Sequence, residues 1–385
     1  MKVTIAVGGK WCAFEQAEQL ARLGVLHRII TSYPRSRVGS YNLAPHQIVS
    51  LPIPELICWS ITYTPSFVRR SGIGDYWKAT LFDRMVATRL DGCDLFIGWA
   101  AFAKESTRVA RSRGAVTCVE RGSAHILTQK ELLFDEYDRW GLKRPEFHPG
   151  LLERQLREYE EADFIIVQSS FAYRSFVERG IDSDRLLTIP LGVDSRLFKP
   201  LRKEDETFRI LFVGAITVRK GVLHLLKAFQ AAQLPHSELV FVGGLDPEIR
   251  FLLKRWEGAY RLVGHVRRED LPWWYSQASV FVAPSIEDGF GQVVLEAMSC
   301  GVPTIASTHS CGPDVIQDGV DGYLVPPGDA KAIADKLCFL YEHRGRLLEK
   351  GRAARRRAEE FSWERYGDSA VDTFRGVLEG RDGNG

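Results

Sequence analysis

No Cys-x-x-Cys pair occurs in the chain, and its seven cysteines (Cys12, Cys58, Cys93, Cys118, Cys300, Cys311 and Cys338) are scattered over 385 residues. An odd count without ligand spacing argues against a disulfide framework or a zinc site and suits reduced, packed thiols. The histidines form no i, i+4 pair and sit in no acidic cluster, so a protein-bound metal is not expected. A continuous apolar run of the ~18 residues that a membrane span needs is also missing. The best candidate, Leu51 to Val68, is interrupted by Pro52, Pro54, Glu55 and Pro65. At the N-terminus, Val3–Val7 is too short for a secretory signal and stops at Gly8-Gly9-Lys10. Neither charge sign dominates: 51 Lys+Arg face 49 Asp+Glu, a formal charge of +2. A dedicated nucleic-acid binder would carry a clear basic excess. These absences lead to the expectation of a cytoplasmic protein.

What is present is ordinary for a folded enzyme, 45% hydrophobic and 26% charged residues. At ~100–200 residues per domain, the length predicts two domains, each able to bury a core. Short β-branched runs alternate with longer amphipathic stretches. Lys2–Val7, Leu26–Thr31, Asp94–Ile97, Ala115–Val119 and Asp163–Val167 form one series. Phe208–Val213, Glu238–Val242, Ser279–Ala283, Val302–Ala306 and Gly322–Val325 form a second. Near-continuous apolar strands separated by helices predict parallel sheets covered on both faces, an α/β class. One sheet of this length would be unusually large, so two are expected. After a last strand at Leu186–Pro190, the charged stretch Phe198 to Glu206 reads as the linker between them.

Two segments could carry chemistry. In Phe212-Val213-Gly214-Ala215-Ile216-Thr217-Val218-Arg219-Lys220-Gly221 a buried strand ends, a loop brings two cations, and a helix follows with Val222, Leu225, Leu226 and Phe229 on one face. A lysine beside a helix start, at the carboxyl end of a parallel strand, suits an anion. The alternative is that Arg219 and Lys220 are solvated loop charges. The P-loop spacing fails. In Pro284-Ser285-Ile286-Glu287-Asp288-Gly289-Phe290-Gly291, glycines let backbone N–H groups approach a ligand. The helix beyond holds Glu296 among Val293, Val294, Leu295, Ala297 and Met298. A carboxylate in an apolar helix needs a partner. It either complements the helix dipole or accepts hydrogen bonds from a vicinal diol.

These segments, with Ala162-Asp163, Ser169-Ser170, Gly192-Val193-Asp194 and Phe198-Lys199-Pro200, resemble the retaining GT-B glycosyltransferases, in particular the large family four. The resemblance covers most of the chain, is most specific from 160 to 330 and is weaker over 35–95. It implies two Rossmann-like, doubly wound domains facing a cleft. Residues 1–195, with a returning helix over 362–380, would form the acceptor half, and 196–361 the half that binds a nucleotide-diphosphate sugar. That sugar nucleotide is a substrate, and no resident cofactor is implied. Lys220 would contact the diphosphate, Asp288 hydroxyls of the transferred sugar, and Glu296 the ribose. Gly289, Phe290 and Gly291 would line sugar and phosphate, and Val266 would sit near the base.

The family usually has arginine directly after the glycine, where this chain has Ala215; Arg219 is the candidate substitute. The family's first glutamate is here Asp288, eight residues before Glu296, since the spacing from Glu287 is nine. Across the cleft, the resemblance places Gly8 and Gly9 near donor phosphate and acceptor, and either His125 or Arg121 at a position where family members carry a cleft histidine. The Glu120-Arg121-Gly122-Ser123-Ala124-His125 segment resembles a bacterial polysaccharide-assembly branch, implying a saccharide or lipid-linked saccharide acceptor. A sugar-nucleotide epimerase and a non-catalytic binding protein remain the alternatives. The run Arg344, Arg346, Lys350, Arg352, Arg355, Arg356 and Arg357 reads as a solvated helix face, or else as a weak contact with an anionic membrane surface. Arg69, Arg70, Trp77 and Lys78, with Phe67 and Phe82, form a second candidate surface patch.

Overall fold

The computed structural model describes residues 1–38, 41–56 and 72–382. Among the described residues, thirteen strands lie in two sheets, all parallel. The first contains β1 (Val3–Val7), β2 (Leu26–Thr31), β3 (Ile48–Ser50), β4 (Leu95–Trp99), β5 (Val116–Arg121), β6 (Phe164–Val167) and β7 (Leu186–Thr188) in the order β3-β2-β1-β4-β5-β6-β7. The second contains β8 (Phe208–Val213), β9 (Ser237–Val242), β10 (Arg261–Gly264), β11 (Val280–Ala283), β12 (Thr304–Ser307) and β13 (Gly322–Val325) in the order β10-β9-β8-β11-β12-β13. The central strands β1, β4, β8 and β11 are buried along their whole length. That is why their sequences read as nearly continuous apolar runs rather than alternating ones, with Thr4 in β1 and a buried Arg209 in β8 as the polar members.

In both sheets the strand order reverses at the middle, between β1 and β4 and between β8 and β11. In doubly wound sheets the connections leave on opposite faces at such a point and open a crevice at the carboxyl ends of the strands. The candidate loops, Gly8–Lys10, Gly214–Lys220 and Pro284–Gly291, lie at these ends. The chain passes between the sheets twice. It returns near Phe361, whose carbonyl accepts from the Val193 N–H at 2.8 Å. The helix Trp363–Asp382 then packs on the helix Ala13–Arg22, with an Arg22–Asp368 ion pair at 2.8 Å.

Two edge strands were not anticipated in full. β3 is three residues long, and β10 exposes Arg261 and Leu262; edge strands this short carry little hydrophobic pattern. The basic run needs correction. Within the helix Leu347–Ala358, Lys350 is buried and donates to the Gly319 carbonyl at 2.5 Å. Arg355 donates to the carbonyls of Phe198 and Ser299, each at 2.6 Å, and Arg357 to those of Val315 and Asp314. These cations fasten the helix to the body, and Arg352 and Arg356 face solvent. In the second patch Phe82 is buried and Lys78 pairs with Glu55 at 2.6 Å, while Trp77 is exposed. Phe67, Arg69 and Arg70 lie outside the described residues, as does Cys58. Among the described residues no helix is long and apolar enough to cross a membrane, and Cys12, Cys118, Cys300 and Cys311 are buried free thiols.

Gly221 shows how tightly the second crevice is built. Its φ is +69°, and a Cβ there would overlap the Pro284 carbonyl oxygen at the end of β11. Gly24 has a similar φ of +71° with nothing within 4 Å. Gly24→Ala should cost about 1 kcal/mol from the left-handed backbone alone, and Gly221→Ala at least about 1 kcal/mol more from the collision. Equal losses in urea unfolding would contradict the packing described.

Candidate active site

The second crevice begins where β8 ends. Gly214 has a φ of +142°, Ala215 is exposed, and Ile216 anchors the loop by donating its N–H to the Gly244 carbonyl at 2.8 Å. Gly221 then opens the helix Val222–Ala232, which has no acidic residue in its first turn and no side-chain cap. Its first amides therefore keep the partial positive charge of a helix N-terminus. Lys220 stands beside that terminus, and its Nζ donates to the Asp288 carboxylate. Burial works against the charge of Asp288, but Lys220, Arg219 and hydrogen bonds from Lys220 and the Phe290 N–H hold its carboxyl below the usual aspartate range. The sequence treated these two residues separately; the structure makes them a pair.

Glu287, the neighbouring acid, is completely buried. Its carboxylate accepts from the Ala124 N–H at 2.9 Å, from Gln129 Nε2 at 2.8 Å and from Arg219 Nη1 at 3.3 Å. Arg219 also donates to the Glu287 carbonyl at 3.1 Å. The guanidinium expected to replace the missing arginine at Ala215 is thus committed to a buried acid. Next along the loop, Gly289 lies so close to the first half that a Cβ would overlap the Gly122 carbonyl, and its own carbonyl accepts from Ser169 Oγ at 2.5 Å. The two halves touch along this seam.

A cavity of about 310 Å³ opens beside it. Asp288, Phe290, Gly291 and Gln292 contribute one wall, and Trp11, Trp99, Glu120, Arg121, Gly122 and Ser123 the other. Arg121 lines the cavity with its guanidinium held by the Ala124 carbonyl, Gln155 and Gln129 at 2.8 to 3.1 Å. Gly8 ends β1 under the ring of Phe102, which any Cβ would strike, and Gly9 lies against Trp11.

Glu296 has a partner of its own. It is buried in the helix Val293–Ser299 and accepts from the Tyr275 hydroxyl at 2.9 Å. Burial raises its carboxyl above the usual range, offset in part by Arg268. Arg268 in turn pairs with Glu15 across the halves at 3.2 Å, and Glu15 accepts from the Tyr41 hydroxyl at 3.1 Å. Val266 follows β10, half-buried against the hydrophobic core.

His125 is the clear correction. The ring is buried between Tyr159 and Phe176, at centroid distances of 5.1 and 5.0 Å, and does not line the cavity. Its Nδ1 accepts from the Leu127 N–H at 3.2 Å and so caps the helix Ile126–Arg139. The residue is a packed N-cap, a role that sequence position could not separate from a cleft histidine. Sequence reasoning also passed over Glu120 and Trp11. An acid closing a buried strand and a tryptophan just after a glycine turn were the signals available.

The pH dependence of stability tests the reassignment of His125. Burial, with Arg179 and Arg121, lowers its pKa to about 4 from the ordinary 6.5. As pH falls, the unfolded chain takes up this proton first, so the neutral folded ring costs stability increasingly between pH 6.5 and 4. His125→Asn, which keeps a capping acceptor, should narrow the stability gap to wild type as pH drops through that window. A constant gap in unfolding midpoints from pH 7 to 4 would contradict the burial.

Known proteins share both the domain and the frame. Residues 207–343 match the family described as Glycosyl transferases group 1. An O-antigen chain mannosyltransferase B of Escherichia coli is 30% identical over 256 residues, 60% of this chain and 66% of the relative. The sulfoquinovosyl transferase SQD2 of Arabidopsis thaliana is 32% identical over 221 residues, 53% of this chain and 43% of the relative. The chain thus spans less than two thirds of the length of these relatives. Among solved structures, the sucrose-phosphate synthase of Thermosynechococcus elongatus aligns with a TM-score of 0.74 at 22% identity, over 99% of this chain and 100% of its own. Anabaena Alr3699/HepE, solved with UDP, aligns with a TM-score of 0.68 at 14% identity, over 98% and 100%. The pneumococcal O-GlcNAc transferase GtfA, solved with UDP and GlcNAc, aligns with a TM-score of 0.66 at 15% identity, over 98% and 99%.

Proposed function

We propose that this chain, which carries a group 1 glycosyltransferase domain on a GT-B fold, moves a sugar from a nucleotide-diphosphate sugar to a hydroxyl of a saccharide or lipid-linked saccharide, with retention of configuration and without a metal ion. The observation that carries the reading is the Lys220–Asp288 pair, set at the start of an uncapped helix and at the switch point of the second sheet. The relatives named for sugar transfer and the neighbours solved with UDP support it.

The chemistry follows from charge. Breaking the bond between the sugar's anomeric carbon and the diphosphate oxygen sends the electron pair to the diphosphate and leaves positive charge on the ring. Lys220 and the helix amides favour the departing anion more than the bound ester, and only such a difference lowers the barrier. Asp288, kept ionised by its cations, accepts hydrogen bonds from the sugar's hydroxyls and lies on the side of the developing ring charge. The acceptor oxygen bonds to the anomeric carbon on the face the diphosphate leaves, and its proton passes to the leaving phosphate. Glu296 takes the ribose, because a carboxylate offers about four acceptor positions and Tyr275 uses one. Gly289, Phe290 and Gly291 line sugar and phosphate. Gly8, Gly9 and Arg121 face them from the first half, and Val266 lies toward the base. Arg219 supports the site through Glu287.

A thermal-shift screen with UDP, GDP and ADP sugars identifies the donor, since a ligand at ~100 times its dissociation constant adds about 2.7 kcal/mol. UDP comes first in that screen because the HepE and GtfA neighbours were solved with it. With the donor known, Lys220→Ala should lower turnover about 100-fold or more while the unfolding transition persists. Wild-type turnover in that variant would remove Lys220 from the mechanism. Glu296→Ala should weaken nucleotide-diphosphate affinity about 10-fold, the loss of one charge-assisted hydrogen bond. Calorimetry showing unchanged affinity would remove the ribose role.

A further inference from the structure

Trp11 departs from two regularities at once. It is 52% exposed, although a folded chain ordinarily covers much of an indole. Its φ is +34°, on the left-handed side that bulky residues avoid. Backbone strain of this kind persists where the surroundings enforce it and concentrates at ligand sites. Here the enforcement is visible. The indole stacks on Trp99 with centroids 4.8 Å apart and planes within 8°, and Phe102 closes in at 5.8 Å, tilted by 59°. Trp99 ends β4 and is itself buried. A flat aromatic surface is therefore fixed on a rigid strand end, lining the 310 Å³ cavity beside Asp288 and Gly291.

The groups around that surface are polar. Glu120 is 2% exposed at the end of β5, and its Oε1 accepts from Gln16 Nε2 at 2.5 Å and Gln168 Nε2 at 2.8 Å. Arg121, Ser123 and Gln292 complete the rim. A pyranose ring has the matching chemistry: a face of C–H groups that packs on the negative face of an indole, and equatorial hydroxyls that need acceptors and donors at its edge. A plain apolar ligand would leave the polar rim of Arg121, Ser123 and Gln292 unmatched, and a second nucleotide would bring phosphate toward Glu120 and Asp288. Burial also raises the Glu120 acid to about 7, so near neutrality its carboxyl is present in both accepting and donating forms.

We propose that Trp11, backed by Trp99, is the platform on which the acceptor's sugar ring stacks, with Glu120 as a hydrogen-bonding partner of one of its hydroxyls. The acceptor is thereby a saccharide whose terminal residue exposes a C–H face, and its attacking hydroxyl is carried toward Asp288. The inference rests on the sugar-transfer reading of the same site.

The test uses the full chain and two readouts. Nucleotide binding is measured first, by thermal shift with UDP, GDP and ADP. With the binding nucleotide saturating, methyl glycosides of glucose, mannose and N-acetylglucosamine and their disaccharides are titrated against tryptophan fluorescence. This is done in wild type, Trp11→Phe and Trp11→Ala. The platform predicts a saturable change in wild type with at least one glycoside, an affinity at least 10-fold weaker in Trp11→Ala, and recovery of most of that loss in Trp11→Phe. The nucleotide shift should persist in Trp11→Ala, which also reports that the variant is folded. Equal glycoside affinity in Trp11→Ala and wild type overturns the platform, as does silence toward every glycoside in a protein that binds nucleotide. Failure to bind any of the three nucleotides instead overturns the sugar-transfer reading beneath it.

Discussion

One buried carboxylate decides how the two halves meet. Glu287 has no exposed surface, and its charge is balanced by an amide of the first half, the side-chain amide of Gln129 and the guanidinium of Arg219. The Arg219 side chain keeps 35% of its surface exposed, but removing a partner from Glu287 leaves its carboxylate uncompensated in a poorly polarisable interior. The contact therefore holds Gly122 against Gly289 with no room for a side chain between them. The cavity beside that seam is lined by Asp288 and Gly291 on one side and by Glu120, Arg121 and Ser123 on the other. Hydrogen bonds from Ser170 to Asp314, at 3.1 and 3.2 Å, extend the seam.

The two sheets make the seam useful. Each is wound so that its central pair of strands ends in a crevice, and the loops leaving those ends carry the glycines and charges. In the second half, Gly221 lets a helix start under the Pro284 carbonyl and places Lys220 against Asp288. In the first, Gly8 lets Phe102 close over the end of β1, and the turn that follows delivers Trp11 onto Trp99. The second half thus brings Asp288, paired with Lys220, to the cavity, and the first half brings Trp11, Glu120 and Arg121.

Much of this was legible in the sequence because it is local. Buried parallel strands are mostly apolar, so the series from Val3 to Val167 and from Phe208 to Val325 announces two sheets. Lys220-Gly221 and the Asp288 to Glu296 segment stood out as glycines and charges at strand ends, and the structure pairs Lys220 with Asp288. What stayed hidden depends on contacts between distant residues. His125 was indistinguishable from a cleft histidine until its ring was seen between Tyr159 and Phe176, and Arg355 and Arg357 looked like solvated charges until their carbonyl partners on other segments were visible. The pairing of Arg219 with Glu287, and the meeting of Glu120, Gln16 and Gln168, join segments separated by 48 to 104 positions.

The central claim is that the positive potential of the second crevice receives a diphosphate. A crystal structure of the protein soaked with the nucleotide diphosphate that stabilises it tests this directly. The account predicts the diphosphate at Lys220 and the first amides of the helix Val222–Ala232, with the Lys220 ammonium shared between phosphate oxygens and Asp288, and the ribose hydroxyls at Glu296. A nucleotide bound elsewhere, with the Lys220–Asp288 pair undisturbed, would contradict it.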